Sequence, residues 1–179
     1  MKCISILVLF AQCCASFTVQ RTVQLSCDAQ WDTSSSSMLN IAFQWTQQNE
    51  LLHWQYKELD ENCVQVDYTT HIRIRRMFEY LVPSKMLAAT ISKHVCVQNN
   101  VLQEKVLVSD IVLLESLSIN VHATINKKAR VLEFLGEADL RVPWFLQMIE
   151  NTVISQLQDS LREYHELLAS ELCKGQQGL

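Results

Sequence analysis

Residues 141–172, RVPWFLQMIENTVISQLQDSLREYHELLASEL, decide the fold. Pro143 stands at the head of this stretch, and neither glycine nor proline follows it until Gly175. Because proline is favoured in the first turn of a helix, the stretch predicts a C-terminal helix of about 28 residues. Apolar side chains recur along it every three or four positions, which places them on one helix face. They are Leu146, Ile149, Val153, Leu157, Leu161, Tyr164, Leu168 and Leu172. A face this apolar predicts a second layer of structure that covers it.

The residues that precede the helix predict strands. Between Trp54 and Val142, short blocks of β-branched and aromatic residues alternate with polar pairs, as in a meander of antiparallel strands. Residues 117–125 alternate most regularly, with apolar side chains at the odd positions and polar or small ones at the even positions. We expect six strands in this region, and the alternation of residues 17–27 predicts one more.

A short helical segment separates the first strand from the others. Asp32, Thr33 and four serines offer N-cap chemistry before Met38, and the apolar spacing that follows predicts a helix continuing to about His53. This order of elements predicts an α+β fold, in which a curved antiparallel sheet of about seven strands wraps around the long C-terminal helix. We assign residues 17–174 to a single domain and expect residues 175–179 to fray.

Composition argues against several classes of function. The 179 residues carry a net charge of -4, so the chain lacks the basic field that drives nonspecific nucleic-acid binding. Only three glycines occur, and no nucleotide-binding or nucleophile-elbow motif is present, so we predict no cofactor. His94 and Cys96 share a strand face, but two ligands do not make a metal site, and we predict none.

The amino terminus bears on the cellular compartment. Residues 1–16, MKCISILVLFAQCCAS, place one lysine before an apolar run that ends in small residues, which predicts a signal peptide. Its removal would leave Cys27, Cys63, Cys96 and Cys173, four residues that suit either two disulfides or buried thiols. Two locations therefore stay open: the secretory pathway or extracellular space if the leader is cleaved, and otherwise an intracellular, membrane-associated one.

A sheet curled around a helix cannot touch it everywhere, which predicts an apolar hollow between the two layers. We expect small inward-facing residues, such as Gly136 and Ala138, to enlarge this hollow. The predicted lining consists of Ile72, Phe78, Tyr80, Ile91, Ile119, Val121, Phe134, Gly136, Ala138, Leu140, Ile149 and Val153. The alternative is that the same side chains fill the core at ordinary density, which would leave a domain that acts only as an interaction surface.

Two stretches of the chain carry a resemblance to a known family. In residues 75–97, an arginine, an aromatic residue, a tyrosine and Pro83 precede a strand that contains Thr90. The matching residues of the C-terminal stretch are Pro143, Trp144, Ile149, Glu150, Leu157, Leu161, Tyr164 and Leu168. Both stretches resemble VASt domains, which belong to the START-like (helix-grip, SRPBCC) superfamily.

The resemblance implies a non-enzymatic domain, without catalytic residues, that binds a sterol or other lipid in its cavity and transfers it between membranes. Trp144 and Phe145 are then candidates for gating the cavity or for peripheral contact with a membrane. A second alternative is a START-like enzyme of the cyclase or hydrolase type, for which Glu79 and Tyr80 are the candidate residues.

Overall fold

A computed structural model of the chain describes residues 13–43, 51–73, 86–110, 114–143, 148 and 150–174. Within these ranges the chain forms seven strands and two helices. In order they are β1 (Cys13–Gln24), α1 (Ser35–Phe43), β2 (Leu51–Asp60), β3 (Cys63–Arg73), β4 (Met86–Gln98), β5 (Val101–Ser109), β6 (Ser116–Asn126), β7 (Val131–Val142) and α2 (Glu150–Lys174).

The strands form one antiparallel sheet in the order β1-β7-β6-β5-β4-β3-β2. Strands β2 to β7 are therefore a simple meander, and β1 joins its far edge by pairing with β7. This arrangement, with the long helix at the C-terminal end, confirms the predicted α+β fold and the predicted number of strands.

The turn between β4 and β5 shows why the meander reverses where it does. Only Asn99 and Asn100 separate the two strands, and both have positive φ angles, of 47° and 70°. Two positive φ angles define the type I′ turn, whose twist matches that of the paired strands, and asparagine tolerates this conformation. The carbonyl of Asn100 also accepts a hydrogen bond from the indole nitrogen of Trp31, at 3.0 Å.

Both helices contribute to the core of the sheet. Helix α1 buries Met38, Ile41 and Ala42 and lies against β3 and β4. Helix α2 lies against β1 and β7, and three of its stripe residues are fully buried. These are Leu161, Tyr164 and Leu168. In the part of the chain that the structure describes, no helix has the length and apolarity needed to cross a bilayer.

Several boundaries differ from the predicted ones. The expectation that the first helix continues to His53 is wrong, because His53 lies in β2, where it pairs with Thr69. Strand β1 begins at Cys13, inside the predicted leader, and α2 spans 25 residues from Glu150. Phe78 and Tyr80 of the predicted lining fall in residues 74–85, which lie outside the described residues.

Helix α1 begins as its sequence predicts. The backbone N–H of Ser37 donates to Oγ of Ser34 at 3.3 Å, which makes Ser34 the N-cap. Asp32 holds this cap in place by accepting hydrogen bonds from the amide and the hydroxyl of Ser34, each at 2.9 Å. The serine run therefore starts the helix that lies over the inner face of β3 and β4.

The four cysteines downstream of the predicted leader form two disulfides. Cys27 bonds to Cys173 and fastens the segment after β1 to the C-terminal end of α2. Cys63 bonds to Cys96, its direct neighbour across the β3–β4 ladder. Of the two options that the sequence leaves open, paired cysteines or buried thiols, the structure has the first. Cys14, on β1, is exposed and carries no disulfide.

Candidate active site

Three charged or polar side chains meet in the interior, between the sheet and the two helices. Lys93 comes from the middle of β4, Glu104 from β5 and Tyr164 from α2. Their side chains are buried, and those of Lys93 and Glu104 are 1% and 0% exposed. Buried ionisable groups are costly unless they are paired, so this cluster is the most distinctive polar feature of the core.

Strand periodicity explains why these residues lie inside. Ala89, Val95 and Val97 are buried on the inner face of β4. Lys93 is also at an odd-numbered position of this strand and therefore lies on the same face. On β5, Glu104 lies between buried Leu102 and Val106 on the same face. Because successive side chains of a strand point to opposite faces, the apolar neighbours carry both charged residues inward.

The contacts converge on a single oxygen atom. Lys93 Nζ lies 3.2 Å from Glu104 Oε1, and the hydroxyl of Tyr164 donates to the same oxygen at 2.6 Å. Lys93 also donates to the backbone carbonyl of Ile41 in α1, at 3.1 Å, and lies 5.3 Å from the centre of the Tyr164 ring. The other carboxylate oxygen, Glu104 Oε2, is buried and makes no hydrogen bond with the described residues.

Burial dominates the electrostatics of the cluster. It lowers the pKa of the Lys93 amine, while the charge of Glu104 and its hydrogen bond act in the opposite direction. Burial and then the negative charge of Glu104 raise the pKa of the Tyr164 hydroxyl well above its ordinary value. The same two causes raise the pKa of Tyr68, on β3. Both tyrosines therefore remain neutral hydrogen-bond donors at physiological pH.

A row of aromatic side chains extends from Tyr68, on β3, to β2. The rings of Phe43 and Tyr68 lie 5.8 Å apart, and Phe43 makes an edge contact with Trp54 at 5.4 Å. Trp54 stacks on Tyr56 at 6.1 Å, and both residues are about half exposed. The row ends on the open edge of the sheet, because β2 is the last strand in the sheet order.

A pocket of about 210 Å³ lies between α1 and α2. Its walls include Ile41, whose carbonyl binds Lys93, and Leu168, which follows Tyr164 by one turn of helix. Ligand sites generally have volumes of roughly 300 to 1,000 Å³. This pocket is therefore smaller than an ordinary ligand site.

The structure places several predicted lining residues beside this cluster. The cross-strand row of Lys93 contains Val106, Ile119 and Ala138, and the row of Glu104 contains Val121 and Gly136. Phe134 and Leu140 are also buried on this face, whereas Ile91 and Val153 are half-buried at its margin. The side chains of Ile72, Phe78, Tyr80, Ile149, Trp144 and Phe145 lie outside the described residues.

Gly136 lies under close-packed neighbours. A Cβ atom added there would lie 3.0 Å from Cε1 of Phe134 and 3.4 Å from Cδ1 of Leu161. The absence of a side chain at this position lets the Phe134 ring and α2 approach the sheet. The sequence expectation that Gly136 and the other eleven residues line a ligand cavity stays a prediction.

The sequence analysis did not predict that Lys93, Glu104 and Tyr164 form a site. The alternation of Ala89, Ile91, Val95 and Val97 already implied that Lys93, at the centre of the series, faces inward. A lysine at an inward position is a signal, because lysine is almost never fully buried unless it is paired. Its partner could not be identified from the sequence, since the pairing of Lys93 with Glu104 depends on the β4–β5 register.

The comparisons with known proteins place the fold in a class. No known protein family matches the sequence, and no curated protein matches it either. The seven-stranded antiparallel sheet with its C-terminal helix is a helix-grip fold of the START-like kind. A solved structure with this fold is that of the di-domain aromatase/cyclase StfQ from the steffimycin biosynthetic pathway.

The likeness to that structure covers nearly all of this chain. It extends over 92% of this chain and 53% of the di-domain protein, with a TM-score of 0.54 and 10% sequence identity. This chain therefore spans about half the length of that protein. At this level of sequence identity, the similarity shows that the two proteins share a fold and shows nothing more.

The comparison also corrects one expectation. The VASt resemblance predicted a non-enzymatic domain, and this prediction is wrong, because the solved structure that shares the fold is that of an enzyme of a biosynthetic pathway. The sequence also offered the alternative of a START-like enzyme. The two residues first considered for it, Glu79 and Tyr80, lie outside the described residues.

Proposed function

We propose that the protein is an acid–base enzyme that acts on a largely apolar carbonyl compound held between the sheet and α2. The observation that carries this proposal is Glu104 Oε2, a buried carboxylate oxygen with no hydrogen-bonding partner among the described residues. A buried acceptor of this kind is costly, and such groups concentrate at functional sites. The cyclase named in the comparison supports the same class of reaction.

The three residues of the cluster have different roles in the proposed reaction. Lys93 and Tyr164 hold Glu104 Oε1 at 3.2 Å and 2.6 Å, which fixes the orientation of the carboxylate and leaves Oε2 available as a base. Oε2 takes a proton from the carbon next to the substrate carbonyl, and the C–H electron pair moves to form an enolate. The positive charge of Lys93 stabilises the negative charge of this enolate.

Ring closure completes the reaction. The enolate carbon attacks a second carbonyl of the same molecule, which forms a carbon–carbon bond and an alkoxide. The protonated carboxyl of Glu104 then returns its proton to the alkoxide oxygen, so that the enzyme ends in its initial state. The apolar walls around the cluster exclude water, which would otherwise compete for the enolate.

The substrate belongs to an apolar class. Val106, Ile119 and Val121 lie in the cross-strand rows of the cluster, which suits a molecule with one or two polar groups and a hydrocarbon body. Among the sterols and other lipids implied by the VASt resemblance, those that carry two carbonyl groups could undergo this reaction, and membership of the VASt family is part of the same proposal. Organic extraction of the purified protein followed by mass spectrometry would identify a bound ligand.

Proton abstraction can be measured without knowing the natural substrate. The probe is 2-decanone in D₂O, and mass spectrometry follows deuterium incorporation next to its carbonyl group. We expect the protein to accelerate this exchange and Glu104→Gln to reduce the acceleration by about 100-fold, within the range typical of general bases. Glu133→Gln, on the exposed face of β7, is the matched control and should exchange like the natural protein.

Two outcomes would contradict the proposal. One is exchange that is equally fast in the natural protein and in a folded Glu104→Gln variant. The other is exchange that the natural protein does not accelerate at any concentration of the ketone. Far-UV circular dichroism establishes that the variants are folded in either case.

A further inference from the structure

A second cluster of reactive side chains lies on the outer face of the sheet, opposite to the helices. Cys63 on β3 and Cys96 on β4 are directly paired across the ladder, with Cα atoms 4.2 Å apart. His94 precedes Cys96 by two residues and therefore shares its face. Its Nε2 atom lies 3.8 Å from Cys96 Sγ, and the two sulfurs and the imidazole nitrogen all lie within 4.8 Å of one another.

These three groups have the chemistry of zinc ligands. Zinc in proteins is tetrahedral, with Zn–S distances of about 2.3 Å and Zn–N distances of about 2.0 Å. Such geometry separates neighbouring ligand atoms by roughly 3.5 to 3.8 Å. The distance between His94 Nε2 and Cys96 Sγ already matches this separation. The two sulfurs are bonded to each other in the disulfide. They can reach the separation of zinc ligands once the S–S bond is broken and the cysteine side chains rotate.

The structure assigns a redox-controlled metal site to Cys63, His94 and Cys96: with the disulfide reduced, these residues bind a thiophilic divalent cation of the Zn²⁺ type. Two thiolates and one imidazole supply three ligands, and water takes the fourth position. The sequence could not predict this site, because His94 and Cys96 supply two ligands and the third comes from another strand. The inference is independent of the proposed enzymatic function.

The redox step balances with a dithiol as the reductant. The dithiol loses two electrons and two protons as its own disulfide forms, and Cys63 and Cys96 gain them as their S–S bond breaks. Metal binding then releases both thiol protons, because the thiolate is the ligand form. The disulfide and the metal use the same sulfur atoms, so the two forms exclude each other.

The ligands stay close together without the disulfide. Eleven residue pairs, from Cys63 opposite Cys96 to Arg73 opposite Met86, join β3 to β4. The backbone N–H of Val97 also donates to the carbonyl of Asn62 at 2.9 Å, beside the two cysteines. The ladder therefore holds the three side chains near one another in the reduced protein.

Cobalt is a spectroscopic probe for this site. The whole chain is reduced with dithiothreitol, freed of the reagent without oxygen, and titrated with Co²⁺. We expect one Co²⁺ per chain, an absorption band from cobalt–thiolate bonds, and loss of that band when Zn²⁺ is added. The oxidised protein should show no such band at this site, because Cys63 and Cys96 are bonded to each other, and Cys14→Ser removes the exposed thiol of Cys14 as a source of cobalt binding.

Variants show which residues hold the metal. We expect Cys63→Ser/Cys96→Ser to abolish the cobalt–thiolate band and His94→Ala to weaken binding at least tenfold, by removal of one ligand. Cys27→Ser/Cys173→Ser and His122→Ala, which leave the three ligands intact, should bind as the natural protein does. Circular dichroism of reduced His94→Ala, the state in which cobalt is titrated, confirms that the fold is retained.

Three results would overturn the assignment. They are a band that persists in Cys63→Ser/Cys96→Ser, a band that is lost in Cys27→Ser/Cys173→Ser, and an affinity that is unchanged in a folded His94→Ala variant. Absence of any band in the reduced natural protein would overturn it as well.

Discussion

At the scale of single residues, the buried pair of Lys93 and Glu104 is the feature that most needs an explanation. Removing two charges from water costs several kcal/mol for each ion, and their mutual attraction offsets this only when the geometry is good. Here the geometry is good for one carboxylate oxygen and leaves the other without a hydrogen-bonding partner among the described residues. An arrangement selected only for stability would satisfy both oxygens or use apolar side chains, which favours a functional role.

The energetic consequence of this pair can be measured directly. Lys93→Met leaves the charge of Glu104 buried without its counter-ion, and we expect it to lower the free energy of unfolding by about 3 to 5 kcal/mol. The double variant Lys93→Met/Glu104→Leu removes both charges, and we expect it to recover most of this loss. Urea denaturation of the two single variants and the double variant gives the coupling energy.

Lys105→Met is the matched control for this cycle, because Lys105 neighbours Glu104 on β5 but faces the solvent. A surface change of this kind alters stability by less than about 0.5 kcal/mol. A double variant that is as unstable as the sum of the two single variants would contradict the attraction between Lys93 and Glu104.

At the scale of elements, the end of α2 depends on a covalent attachment. Cys173 lies in its last turn, and the bond to Cys27 crosses 146 residues of sequence. Cys27 lines one pocket at this end of the molecule, and Leu172 lines another. The C-terminal turn of α2 therefore stays attached to the segment after β1 while the disulfide is intact.

We expect Cys27→Ser/Cys173→Ser to lower the free energy of unfolding by about 2 to 5 kcal/mol, because a long loop gains entropy in the unfolded chain when its cross-link is removed. Thermal denaturation followed by circular dichroism measures the effect. Cys14→Ser, which removes an exposed cysteine without a disulfide, is the control and should melt like the natural protein. Equal melting temperatures for both variants would contradict the stabilising role of the bond.

The elements could largely be predicted from the sequence because their signals are local. The stripe of α2 and the alternation of β6 depend on residues a few positions apart, and these predictions agree with the structure. The first helix was predicted too long because the apolar spacing before His53 suits both helix and strand, and pairing with β3 decides between them. The candidate site was missed for a related reason: Lys93, Glu104 and Tyr164 meet only through the register of the sheet and the position of α2.

At the scale of the whole molecule, His165 links stability to pH. Its side chain is buried against Phe134, with ring centres 5.1 Å apart. Burial and then the positive charge of Arg21 lower the pKa of the imidazole below its ordinary value of 6.5, while Glu166 and the backbone of Leu132 act in the opposite direction. The folded protein therefore favours the neutral ring.

The sign of the pH dependence follows from this shift. Because the unfolded chain takes up the proton more readily, the stability that the neutral ring contributes is complete above pH 6.5 and is lost as the pH falls below it. We expect the free energy of unfolding of the natural protein to fall by up to about 1.4 kcal/mol per pH unit because of this group. His165→Phe should remove this part of the pH dependence. Urea denaturation from pH 7.5 down to pH 5 measures both slopes.

His122→Gln, at an exposed position of β6, is the control and should keep the slope of the natural protein. An identical slope in the natural protein and in His165→Phe would contradict the assignment of this pH dependence to His165.

The bond between Cys27 and Cys173 also changes what a protease can do to the molecule. Residues 27 to 173 form a covalent ring, so one cut in a turn such as that at Asn99 and Asn100 releases no fragment. The nicked protein would keep its mass in a denaturing gel, apart from the water added, and would fall into pieces only after reduction. Two independent cuts between Cys27 and Cys173 are needed to release a piece of the oxidised ring. A piece that contains only one of Cys63 and Cys96 would still be retained by the second disulfide.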